Sequence, residues 1–134
     1  MTLRRLLLVV AGGTLGTALR LGLALAIPDA AGLPLSTLTA NAVGALLIGV
    51  LAARLPTSSD LRVFLATGML GGFTTYSAFA VHVVSTYSGA PVVGLLLAAV
   101  SLFGGALAAA VGLGSGERLG TRTATGEAQD GDAA

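Results

Sequence analysis

The stretch GMLGGFTTYSAF, residues 68–79, lies inside an apolar run that otherwise reads as a membrane-crossing helix. Two adjacent glycines, Gly71 and Gly72, and two adjacent threonines, Thr74 and Thr75, fall about where a bilayer would be deepest. Glycine is about 1 kcal/mol worse than alanine inside a helix, and β-branched threonine is stiff and favours extended backbone. The pattern predicts a break. A break leaves carbonyl oxygens without a helical partner, and non-helical backbone at that depth persists only if it is buried in protein, lines water or coordinates an ion. Broken helices at the midplane are a recurring ion-site device. Tyr76 and Phe79 follow, three residues apart and on one helical face. Aromatic ring edges carry partial positive charge, so that face reads either as an aromatic packing pair or as a surface that tolerates a small anion.

The rest of the chain sets that stretch in a membrane. Of 134 residues, 54% are hydrophobic and only 10% charged, and the mean hydropathy is +0.92. A soluble domain this small cannot hide so much apolar surface. Four apolar runs, about 6–27, 35–53, 63–84 and 92–113, are separated by short joints carrying Pro28, Pro34, Pro56 and Pro91. About 20 residues at ~1.5 Å each cross a hydrocarbon core of roughly 30 Å, so each run is long enough. Residues 1–114 thus form one four-span unit. From 115 to 134 the composition turns to Gly, Thr, Ala and mixed charge; that tail cannot bury a core and is expected to be disordered. The first run resembles a secretory signal at its basic start, but it is too long for one and contains Arg20, so it is read as a retained span.

All seven basic residues are arginines. With four spans, Arg4, Arg5, Arg54, Arg62, Arg118 and Arg122 share one side, and only Arg20 lies toward the other. The positive-inside rule then places both termini in the cytoplasm. The net charge of +1 offers no field for nucleic acid. The absence of cysteine excludes a disulfide framework or a thiolate metal site.

Catalysis and proton coupling within a membrane need ionisable groups at depth. Asp29 and Asp60 fall in joints, the other acids fall in the tail, and His82 has no partner at metal-ligand spacing. The chain is therefore not read as an enzyme, and a proton-coupled antiporter is disfavoured by the lack of a buried carboxylate. The spans instead hold glycine and small polar residues. Gly12/Gly16 and Gly68/Gly72 have the four-residue spacing that lets helix backbones approach closely in lipid. Gly44, Gly49, Gly104 and Gly105 also read as packing positions. Asn41, in TLTANAVGALL, could be interhelical glue or a donor along a polar path, since an unsatisfied amide at that depth would cost several kcal/mol.

Three segments in order, GGTLGTALR (12–20), STLTANAVGALLIG (36–49) and GMLGGFTTYSAF (68–79), resemble the Fluc (CrcB) family of fluoride-specific ion channels over about residues 10–114. The resemblance implies an all-α membrane protein of four transmembrane helices, the third broken at its centre, assembling as an antiparallel dimer in the plasma membrane. It implies a structural sodium ion on the dimer axis, held by the backbone carbonyls of Gly71 and Thr74 from both chains. It further implies fluoride pathways lined by Asn41, Thr75, Tyr76, Ser77 and Phe79, with Arg20 and His82 as vestibule positions. The implied function is passive export of cytoplasmic fluoride, which enters cells as neutral HF and ionises inside. Two positions and one span depart from the family pattern: Tyr76 replaces a phenylalanine, His82 replaces a common glutamate, and the fourth span offers only Ser101 as a hydroxyl. With the one-sided arginines, these departures raise the alternative of a weakly conducting or non-conducting subunit paired with an oppositely oriented homologue, rather than an antiparallel homodimer.

Overall fold

The computed structural model describes residues 2–30 and 32–130 and is helical throughout. Helix α1 spans Leu3–Ala26 and α2 spans Leu35–Arg54. Helix α3 is a continuous helical run over residues 60–73, whose middle, Val63–Leu70, is wound as a π-helix. Helix α4 spans Tyr76–Gly89 and α5 spans Pro91–Asp130. Four segments are long and apolar enough to cross a membrane: Leu3–Ala26, Leu35–Arg54, Asp60–Gly89 and Pro91–Leu119. No β-strand occurs among the described residues.

Side-chain caps open some of these helices. The Thr2 hydroxyl accepts the Arg5 N–H at 3.4 Å and opens α1, and the Ser59 hydroxyl accepts the Arg62 N–H at 3.3 Å to open α3. Such caps satisfy one of the four N–H groups that a helix start leaves without a partner. The joint after α1 turns back on itself through paired bonds between Ala30 and Leu33, with Gly32 at φ +76°. Glycine adopts that left-handed conformation without the Cβ clash that other residues suffer. Helix α5 does not stop at the change of composition near Gly114 but runs on to Asp130. No proline follows Pro91, and extending an existing helix adds one bond per residue without a new nucleation cost. Residues 131–134 of the expected disordered tail lie outside the described residues.

The helices pack as two pairs, α1 with α3 and α2 with α5, and α4 leans on α5. Very little apolar side chain is hidden: among the described residues, Ala40, Leu70 and Leu97 are the buried hydrophobic ones. Leu3, Leu25, Val92, Leu102 and Phe103, by contrast, are each about 70% exposed or more. Such a surface suits lipid rather than water.

The pairs are held where glycines let backbones touch. A Cβ on Gly12 would lie 2.9 Å from Met69 N, and one on Gly16 would lie 2.8 Å from Phe73 N. On the other pair, a Cβ on Gly49 would lie 2.8 Å from Leu113 N, and one on Gly116 would lie 2.6 Å from the Ala53 Cβ. In lipid, where apolar burial gives helices no reason to associate, such close approach supplies the attraction. Gly12, Gly16, Gly44, Gly49, Gly68 and Gly72 therefore act as the spacing suggests. Gly104 and Gly105 make no such contact: among the described residues, nothing lies within 4 Å of a Cβ on either.

One end of the bundle gathers the start of α1 and the joint after α2. Arg4 pairs with Asp60 at 2.7 Å, and Arg5 reaches the other Asp60 oxygen at 3.4 Å and the Ser58 carbonyl at 2.8 Å. Arg62 donates to the Leu55 carbonyl at 2.8 Å. Gly116 against Ala53 brings α5 to the same end. Arg4, Arg5, Arg54, Arg62 and Arg118 thus cluster at one face of the bundle.

Candidate functional site

Between α3 and α4 the backbone is extended at Thr74 (φ −81°, ψ 157°) and Thr75 (φ −148°, ψ 118°). The threonine side chains organise the juncture from both sides. Thr74 N–H and Thr74 Oγ1 both donate to the Leu70 carbonyl, each at 2.9 Å, which finishes α3. The Thr75 hydroxyl accepts the Ala78 N–H at 3.3 Å and starts α4. It also lies 3.3 Å from the Ser77 hydroxyl.

Helix α2 grips these two residues. Asn41 Nδ2 donates to the Thr75 carbonyl at 3.0 Å, and Thr75 N–H donates to Asn41 Oδ1 at 2.8 Å. The side-chain amide therefore pairs with the Thr75 peptide as a neighbouring strand would. Three residues along, Gly44 has no side chain, and the γ-methyl of Thr74 occupies the space that a Cβ would need. Of the two readings open for Asn41, the interhelical contact is realised, and one Nδ2 hydrogen remains for a further acceptor.

Asn41 also borders two open clefts. One, of about 310 Å³, is lined by Gly44, Ala45, Ala66, Gly71 and Thr74 as well. The other, of about 220 Å³, lies toward α5 and includes Leu38, Ser101, Gly104 and Gly105. The Ser101 hydroxyl is buried with no hydrogen-bond partner among the described residues.

The carbonyls at the juncture divide into two groups. Those of Leu70 and Thr75 are taken as described, and Gly72 O accepts from Arg20 Nε at 3.4 Å. Among the described residues, no donor reaches the carbonyls of Gly71, Phe73 or Thr74. Gly71 is exposed, and nothing lies within 4 Å of a Cβ placed on it. Oxygen donors of this kind suit a hard cation such as sodium. No group of His, Cys, Asp or Glu that could hold a metal occurs among the described residues.

Tyr76 and Phe79 begin α4 with ring centroids 6.2 Å apart and planes inclined by 55°. Phe79 is half-buried, whereas Tyr76 is 81% exposed. His82 lies one step further along the same face, half-buried and without a hydrogen bond among the described residues. The structure thus brings Asn41, Gly71, Thr74, Thr75 and Ser77 to one juncture, with Tyr76 and Phe79 beside it. Arg20 joins them through Gly72, a contact the sequence did not indicate. Gly44 acts on the juncture itself; its three-residue spacing from Asn41 was the available signal.

A family model described as CrcB-like protein, Camphor Resistance (CrcB), matches residues 7–113. "Fluoride-specific ion channel FluC 2" of Leifsonia xyli subsp. xyli is 42% identical, over 89% of this chain and 88% of its own length. "Fluoride-specific ion channel FluC" of Thermus thermophilus is also 42% identical, over 89% of this chain and 98% of its own. "Fluoride-specific ion channel FluC 2" of Bacillus subtilis is 40% identical, over 83% of this chain and 86% of its own. These matches extend across all four membrane-crossing segments, the 74–75 juncture included, and the chain belongs to the CrcB-like family.

Proposed function

We propose that this chain is a subunit of a fluoride-specific channel in the plasma membrane, with both termini in the cytoplasm. Fluoride that accumulates in the cytoplasm leaves through it passively, which lowers its toxicity. The observation that carries the reading is the 74–75 juncture, where amide, hydroxyl and ring-edge groups meet and no carboxylate among the described residues bonds to them. The names of the relatives supply the ion. Fluoride is strongly hydrated, and a path offering such groups in sequence replaces its water stepwise. On this reading α3 and α4 are one span broken at its centre. Asn41, Thr75, Tyr76, Ser77 and Phe79 line the path, and Arg20 and His82 border it.

The dimer is antiparallel, and its axis passes by the break. The unpaired carbonyls and the open face at Gly71 support a structural sodium ion held there by Gly71 and Thr74 of both chains. A bound sodium supplies positive charge to those oxygens without a buried acid. The clustering of arginines at one end supports a second reading for the partner. A chain with so fixed an orientation does not readily supply its own inverted copy. The partner is then an oppositely oriented homologue, and this subunit conducts weakly or not at all.

The test is ion release from liposomes loaded with fluoride or chloride, with a potassium ionophore to dissipate charge. Fluoride should leave far faster than chloride, and equal release of the two anions would sink the proposal. Rescue of a fluoride-sensitive cell by this chain alone, with a C-terminal reporter in both compartments, would rule out the heterodimer.

A further inference from the structure

Arg20 sits one helical turn beyond Gly16, the position where α1 meets Met69 and Phe73. From there its Nε donates to the carbonyl of Gly72. Arg20 is half-buried and pairs with no carboxylate among the described residues. Among the described residues, its charge therefore has only backbone oxygen to answer it, at the C-terminal end of α3. That end carries the negative pole of the helix and favours a cation. Gly72 also lies between Gly71 and Thr74 in the chain, the two residues read as sodium-binding.

We propose that Arg20 is a positioning residue that acts as a resident cation at the break, serving the same negative helix end as the sodium ion. The inference rests on the sodium reading. Two consequences follow from charge alone. Without sodium, Arg20 holds the end of α3 together. With sodium, its like charge opposes the ion, so the two share one electrostatic task rather than reinforcing each other. A residue that merely packs would lower stability equally with and without sodium. A resident cation predicts the opposite dependence: a chain lacking it leans more heavily on sodium.

The experiment measures thermal unfolding of the purified, assembled full-length protein as sodium is titrated against N-methylglucamine at constant ionic strength. Wild type, Arg20→Gln and Arg20→Lys are compared. In Arg20→Gln the sodium concentration giving half of the stabilisation should fall on the order of tenfold, and the total rise in Tm should grow. Arg20→Lys keeps the charge and should stay close to wild type. If Arg20→Gln survives purification only in sodium, that selective rescue supports the proposal. If it is lost equally in both cations, or its sodium midpoint is unchanged or higher, the proposal is overturned. A wild-type protein indifferent to sodium would instead remove the sodium reading on which the proposal stands.

Discussion

Helices α3 and α4 are separated by two residues, yet they live in different surroundings. Helix α3 lies against α1, with Gly68 and Leu70 buried and Gly72 pressed on the Gly13 carbonyl. Helix α4 has no buried residue and begins with Tyr76 81% exposed. One is anchored through its backbone, and the other presents side chains outward. Even the adjacent glycines divide this way: a Cβ on Gly72 would strike Gly13, whereas one on Gly71 would meet nothing within 4 Å. The lesson is that the juncture has a fixed side and an open side. The fixed side sets where the carbonyls and hydroxyls sit. The open side is where an ion or a partner has room.

The sharpest way to break this comparison is to crowd the anchored side. Gly16→Val places a side chain against the Met69 carbonyl and Phe73 N, both backbone atoms that cannot swing aside. It should destabilise the protein by about 3 kcal/mol or more, visible as lost folded yield in detergent. A stable Gly16→Val protein would mean that α1 does not hold α3.

A smaller effect is expected at the juncture. Asn41→Ala removes both hydrogen bonds to Thr75 and leaves a peptide N–H and C=O unsatisfied, a cost of about 2–3 kcal/mol. Asn41→Asp keeps the acceptor for Thr75 N–H but sets a carboxylate oxygen against the Thr75 carbonyl. Both variants should lower Tm, and on the proposed function Asn41→Asp should also suppress fluoride release by putting negative charge beside the proposed path. Unchanged flux in Asn41→Asp would remove Asn41 from the pathway.

The smallest change belongs to the open side. Tyr76→Phe deletes an exposed hydroxyl and keeps the ring edge, so stability should move by no more than about 0.5 kcal/mol. Fluoride flux should hold or rise. A collapse of flux would show that the hydroxyl, not the ring edge, meets the ion.

Much of this was legible beforehand. Apolar length and proline spacing marked the four membrane-crossing segments, and Gly71-Gly72 with Thr74-Thr75 drew attention to the juncture. Other features lay beyond a local pattern. The π-helical winding of Val63–Leu70 leaves no distinct periodicity in a run that is apolar all round. Asn41 and Thr75 are 34 residues apart, and nothing near either one names the other. Arg20 could be placed at a span's far end, but not its acceptor 52 residues on. Gly104 and Gly105 looked like contact positions, yet they face Leu38 and Asn41 across a cleft; spacing alone cannot say how closely two helices approach.

The pairing of the helices also governs the order in which this protein can be made. Helix α1 emerges first, but its main neighbour is α3, and α2 follows before α3 has been synthesised. Helix α2 in turn waits for α5, the last to appear. The two early helices touch each other only slightly, so most of each glycine face would stay uncovered until its main partner is made. A nascent chain stopped after residue 89 would still lack α2's main neighbour. Glycine-faced helices left waiting in this way are open to pairing with the wrong transmembrane helix, and chaperoned insertion or rapid completion of the last span would protect them.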